Sequence, residues 1–187
     1  MCAPTMLPMT VLACSYDRLT PDNAVLLLID PQVGPLWELE AAELRRQLTT
    51  LARTARRLTL PTIVTSIAYD DLGPIIPELS YAAREDEIVE RGFGNAWDDT
   101  RVRRAVESTG RRKLIVAGSV TDAGVAPCAI AAAAAGFDVC APIESTPSSQ
   151  LAVRRMIEAG VVVTTFSLVI AEIVRGDARS RVLALRH

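Results

Sequence analysis

Ala24–Ile29 (AVLLLI) is an unbroken apolar run, the pattern of a strand buried on both faces in the middle of a parallel sheet. Glu40–Leu60 instead repeats Leu44, Leu48, Leu51, Ala55 and Leu58 at helical spacing, with Arg45, Arg46, Arg53 and Arg57 between them. This predicts an amphipathic helix that Pro61 stops. Thr62–Ala68 (TIVTSIA) is a β-branched strand ending at Tyr69, and Asp70–Pro77 is a Pro- and Gly-containing loop. Glu87–Glu90 gives a third strand and Asp99–Thr109 a short helix ended by Gly110. Lys113–Ala117, an alanine-rich segment from Thr121–Asp122 to Gly136, and Phe137–Ile143 then form a strand–helix–strand crossover. Ser148–Ala159 predicts a helix, Val161–Thr165 a last strand and Ser167–Val174 a last helix. About six strands alternating with helices define an α/β fold. Its expected form is a three-layer αβα sandwich with a mostly parallel, doubly wound, Rossmann-like sheet.

A chain of 187 residues that is 50% hydrophobic can bury a large single core. The expected division is a flexible N-terminal arm over residues 1–18 and one domain over 19–187. Arg179–His187, with Val182, Leu183 and Leu185, is expected to serve as an arm between subunits. A formal charge of −2 gives no electrostatic footprint for nucleic acid or an anionic membrane. Arg101, Arg103, Arg104, Arg111 and Arg112 are expected on a solvated helix face and turn.

Cys2, Cys14, Cys128 and Cys140 lack CxxC spacing, and His187 is the single histidine. Ordinary zinc sites, Ser-His-Asp triads and Cys-His pairs are therefore not expected, nor is any metal or cofactor. No apolar run approaches the roughly 18 residues of a membrane span. The cysteine pattern suits a reducing cytoplasm.

In doubly wound sheets ligands collect at the carboxyl ends of the strands, where helix N-termini present free N–H groups. Three loops reach that edge here: Asp30-Pro31-Gln32, Arg91–Trp97 and Gly118–Val125. They bring a carboxylate, a guanidinium, aromatic side chains and a helix N-terminus together, with Trp37 as a further aromatic candidate.

These loops resemble, in order, those of the isochorismatase-like cysteine hydrolase superfamily. Its pattern is a strand ending in Asp-x-Gln, a basic residue ahead of a Ser/Asn-Ala-aromatic triplet, and a Gly-x-x-Thr-x-x-Cys turn. Here these stand as Asp30-Pro31-Gln32, as Arg91 ahead of Asn95-Ala96-Trp97, and as Gly118 to Gly124. The likeness runs from about Leu19 to Arg175 and implies the fold expected above. The superfamily's triad is Asp, Lys and Cys. Carried over, Asp30 keeps the Asp, Arg91 stands at the Lys position, and Gly124 stands at the Cys position.

Glycine removes covalent catalysis from that position, and arginine does not release its proton near neutral pH. Arg91 can still hold Asp30 or grip a substrate carboxylate. Family members of the phenazine-pathway type also lack the cysteine and protonate an enol carbon from the Asp. By that likeness, Gly124 is expected to make room for a bulkier ligand. The resemblance also implies a cis Val120–Thr121 peptide, aiming the Val120 and Gly124 N–H groups into an anion hole.

The expected catalytic residues are Asp30 and Arg91. The expected substrate contacts are Gln32, Trp37, Phe93, Asn95, Trp97, Val120, Thr121, Gly124 and Cys128. Three functions follow: acid–base chemistry by Asp30 on a small anionic or unsaturated substrate, a catalytically silent binding or assembly protein, or amide hydrolysis through Cys128. A homo-oligomer is expected, since many members of the family are oligomers.

Overall fold

The computed structural model describes residues 17–36, 41–79, 87–92, 94–144 and 149–176. Both expected terminal arms lie largely outside them. Strands β1 (Ala24–Ile29), β2 (Thr62–Ile67), β3 (Ile88–Arg91), β4 (Lys113–Gly118), β5 (Asp138–Pro142) and β6 (Val162–Thr164) form one sheet. Their order is β3-β2-β1-β4-β5-β6, and every neighbouring pair is parallel. The chain therefore winds outward from β1 in both directions, and the reversal falls between β1 and β4.

All six residues of β1 are buried, as a central strand covered on both faces must be. Leu28 stands beside Val64 of β2 on one side and Ala117 of β4 on the other. Each fully buried Leu or Ile contributes about 1.5–3 kcal/mol relative to leaving it in water. At the end of β4, a Cβ on Gly118 would stand 2.5 Å from the Ile29 carbonyl oxygen. Only glycine lets the two strands approach this closely at the switch point.

Alternation along the strands divides the core. Leu26 and Leu28 face α1 (Ala42–Arg57) and α5 (Phe166–Gly176), packing with Leu48, Leu51, Phe166 and Ile173. Val25, Leu27 and Ile29 face α2 (Thr100–Glu107), α3 (Ala126–Ala134) and α4 (Gln150–Glu158), packing with Val102, Val106, Cys128 and Met156. Leu48, Leu51 and Ala55 of α1 are buried, with Leu44 and Leu58 packed at their margin. Arg45 reaches the carboxylate of Glu78 in the loop before β3.

One expected helix starts late. Thr121–Val125 forms a wide turn in which the Val125 N–H reaches the Val120 carbonyl at 3.0 Å, and regular helix begins at Ala126. Pro127 supplies the reason: proline has no N–H and fits only the first helical turn. Neither Thr121 nor Asp122 caps the helix with its side chain.

Candidate functional site

Asp30 follows the last residue of β1 with φ of 45°, a left-handed conformation that Asp tolerates better than most residues. The turn is fixed through its carbonyl oxygen, which accepts from Ser119 Oγ and from the Gln32 N–H, each at 2.7 Å. The carboxylate is held from two sides. Thr65 Oγ1 donates to Oδ1 at 2.7 Å, and the Arg91 guanidinium binds Oδ2 in a charge-assisted hydrogen bond. Thr65 comes from β2 and Arg91 from β3, so the group ties three adjacent strands together.

Both charges are buried, but unequally. The Arg91 side chain is 3% exposed and that of Asp30 12%. The remaining Arg91 contacts lie within the chain: Nη1 donates to the carbonyls of Gly92 (2.9 Å) and Gly94 (2.7 Å). Among the described residues its buried Nε has no hydrogen-bond partner. Of the two roles the sequence left open for Arg91, holding Asp30 or gripping a substrate carboxylate, the structure shows the first, with the glycine loop taking Nη1. Arg91 thus orients the Asp30 carboxylate, and Asp30 is the more exposed of the two.

Gln32, expected to contact substrate, has its amide engaged at both ends. Nε2 donates to the carbonyls of Ile67 (3.0 Å) and Gly73 (2.6 Å), and Oε1 accepts from the Ile67 N–H at 2.8 Å. It fastens the segment after β2 to the end of β1. Trp97 is 4% exposed and lies edge-on to Phe137, with centroids 5.3 Å apart, in the core beneath α3. Asn95 accepts from the Trp97 N–H at 3.0 Å and donates to the Pro127 carbonyl at 3.3 Å, tying its loop to α3. Trp37 and Phe93 lie outside the described residues.

The Gly118–Val125 turn also departs from expectation. No cis peptide occurs among the described residues, so the Val120–Thr121 bond is trans. The Gly124 N–H donates to the Val120 carbonyl at 3.2 Å and is therefore not an anion-hole donor. A Cβ on Gly124 would stand 3.2 Å from Ile29 Cγ2. Among the described residues that is the single atom a Cβ there would meet within 4 Å, so the missing side chain eases packing against β1 and leaves its other sides open. Val120 is exposed and Thr121 half-buried at the mouth of the turn.

Cys128 is fully buried among α2–α4 side chains, and burial pushes its thiol up to about 12. Desolvation outweighs the nearby positive charge of Arg91. Cys140 is likewise raised to about 12, chiefly by burial. Neither thiol has the thiolate character of a nucleophile near neutral pH.

Thr65 was not singled out by its sequence, although a signal existed. In TIVTSI, a polar residue occupies the same sheet face as buried Ile63. A polar side chain facing a core needs a partner, and here the partner is Asp30. A groove of about 820 Å³ lined by Ser66, Tyr69, Ile76, Leu79, Ile88 and Glu90 opens on the other face of β2. It is not bordered by Asp30 or Arg91 and is separate from the charged cluster. Among the described residues no group of three or more His, Cys, Asp or Glu could hold a metal ion, and no helix is long and apolar enough to cross a membrane.

A buried carboxylate oriented at the switch point of a 3-2-1-4-5-6 parallel sheet defines a doubly wound α/β protein, with Asp30 at the strand edge where such sheets generally bind ligands. A family model of the isochorismatase domain matches residues 24–166, and the chain belongs to this family of isochorismatase-like hydrolases. It is 37% identical over 129 residues to "Probable hydrolase YcaC" of Escherichia coli strain K12, across 66% of this chain. That match spans 62% of the relative's length, less than two thirds. YcaC from Pseudomonas aeruginosa, solved with hexane-2,5-diol and covalent acrylamide, is similar with a TM-score of 0.79 and 30% identity. The alignment covers 92% of this chain and 97% of that one. The Escherichia coli YcaC crystal structure, an octameric hydrolase of unknown specificity, superimposes with a TM-score of 0.81 and 34% identity. There 91% of this chain and 88% of the other are covered.

Proposed function

We propose that this isochorismatase-like protein works without a cysteine nucleophile, with Asp30 exchanging a proton with a small anionic or unsaturated substrate. The observation that carries this reading is the unequal burial of the ion pair: Arg91 is enclosed, while Asp30 keeps an exposed margin beside the β1–β4 switch point. The carboxylate form makes that pair, so a cycle starting from this structure has Asp30 accept a proton and later return it. Isomerisation and cyclisation have that order. Enol-ether hydrolysis starts from the protonated acid, and the ion-paired state lends it less support.

A second reading, a silent binding or assembly protein, draws on a different observation. Both carboxylate oxygens and most donors of Arg91 are engaged within the chain. Amide hydrolysis through Cys128 is the least supported, because that thiol is buried and raised to about 12.

The deciding experiment screens small carboxylates, enol ethers and amides by thermal shift and turnover, with wild type and Asp30→Asn. Asn tolerates the left-handed turn at this position. A compound that binds both proteins but is converted only by the wild type supports proton transfer by Asp30. A compound converted equally by both removes Asp30 from the chemistry. Binding without conversion by either favours the silent reading.

A further inference from the structure

The groove of about 820 Å³ on the α1 side of β2 and β3 changes from apolar to acidic along the strands. In the parallel register Val64 stands beside Ile88 and, one pleat further on, Ser66 stands beside Glu90. Residues two apart on a strand share a face, so these four side chains form one wall. Ile76 and Leu79, from the segment after β2, pack in the same apolar cluster as Val64. Past the end of β2, Tyr69 and Asp70 line the other end, with Tyr69 half-exposed. Gln32 also lines the groove, but its amide is already engaged by Ile67 and Gly73.

Among the described residues that line the groove there are two carboxylates, Asp70 and Glu90, and no Lys, Arg or His. Neither carboxylate is ion-paired with a described residue. Arg101, which feels the charge of Glu90, is engaged by both carboxylate oxygens of Asp99. We infer that this groove binds a small organic cation, an ammonium group on an aliphatic stem, at a site separate from Asp30. The stem lies against Val64, Ile76, Leu79 and Ile88, where each methylene taken out of water favours binding roughly fourfold. The head sits by Glu90 and Asp70, whose charge complements it, beside the Tyr69 ring. An anion of the same length meets two like charges there. The volume suits a small molecule. β2 separates the two sites: Thr65 turns to Asp30 on one face and Ser66 to the groove on the other, so a cation can bind here whatever chemistry Asp30 performs.

Equilibrium dialysis of the full chain against hexylammonium at fixed ionic strength tests the site, with hexanoate and methylammonium as probes of charge and stem. Hexylammonium should bind saturably, methylammonium at least about tenfold more weakly, and hexanoate at least about fivefold more weakly. Asp70 and Glu90 are exposed, so combining Asp70→Asn with Glu90→Gln removes the charge and keeps the shape, and circular dichroism checks the fold. This variant should bind hexylammonium at least about fivefold more weakly than wild type. Ile88→Ala should weaken hexylammonium and leave methylammonium unchanged. No saturable binding of hexylammonium, hexanoate bound as tightly, or a folded double variant that binds like wild type overturns the inference. A fall in mass by sedimentation velocity on adding hexylammonium also overturns it, since the groove then belongs to a second copy of the chain. Should the double variant not fold, the decision passes to Ile88→Ala, whose unchanged affinity for hexylammonium overturns the inference.

Discussion

Thr65 and Asp30 are bonded to each other twice: Thr65 Oγ1 donates to Asp30 Oδ1 at 2.7 Å and accepts the Asp30 backbone N–H at 3.2 Å. One hydroxyl thus fixes both the carboxylate and the left-handed turn that carries it. Thr65→Val keeps the shape and deletes both bonds, and should cost about 1–3 kcal/mol in urea unfolding, the penalty for stranding buried polar groups. Thr65→Ser keeps the bonds and loses one methyl, roughly 1 kcal/mol. If the Val variant is as stable as the wild type, the hydroxyl contributes nothing.

The ion pair predicts a non-additive cycle. Removing one partner of a buried pair leaves an uncompensated charge, so Arg91→Met should cost about 3–5 kcal/mol. Asp30→Asn should also destabilise by stranding Arg91, and the double variant should lose clearly less than the sum of the two. Additive losses in denaturant titrations would mean that the two residues are energetically independent. Because Asp30→Asn lowers stability on either reading of function, turnover rather than melting temperature must decide its role.

Cys128 should resist alkylation. With its thiol raised to about 12 by burial, the thiolate fraction at pH 8 is negligible and the sulfur is enclosed. Native protein treated with acrylamide at pH 8 should show no adduct at Cys128 or Cys140 by peptide mass mapping, whereas urea-unfolded protein should show both. The Pseudomonas aeruginosa relative, solved with covalent acrylamide, provides the positive control. A rapid native adduct at Cys128 would revive the amide-hydrolase reading.

Asp99 caps α2, accepting from the Arg101 N–H at 2.8 Å, and the Arg101 guanidinium helps pull its carboxyl down from 3.8 to about 2. A depressed folded value means that the charged form stabilises the fold above about pH 4, and that this contribution is lost as the pH falls toward 2. Asp99→Ala should cost about 1 kcal/mol at pH 7, the usual magnitude for a lost cap. Its deficit relative to wild type should shrink between pH 4 and pH 2. A deficit constant over that range would show that Asp99 acts through packing alone.

The sheet was legible because its central strands are apolar runs and the outer ones keep short β-branched stretches. The six residues of β1 are all apolar and all buried, and expected strand bounds agree with the observed ones to within one or two residues. The likeness that carried Asp30, Arg91 and Gly124 into one family agrees with the domain match over residues 24–166. What the sequence hid was orientation. Gln32 and Trp97 stand in the expected loops, yet one is tied to backbone and the other packed against Phe137. Pro127 hid the wide turn at Thr121–Val125, since a proline near a helix start is compatible with either geometry. The role of Thr65 depends on β1 and β2 lying side by side, a neighbourhood that local pattern does not specify.

Arg91 gives the edge of the sheet an unusual anchor. It is the one buried residue of β3, and the carboxylate it holds stands just past the end of β1, two strands inward. Besides its ladder with β2, this outer strand has one buried side chain to hold it, and that side chain is tied to a charge at the middle of the sheet and to the Gly92 and Gly94 carbonyls. Neutralising Asp30, whether by a proton or by substitution, should therefore register first as faster amide exchange along β3 and the loop behind it. An event at the centre of the molecule is read out at its rim.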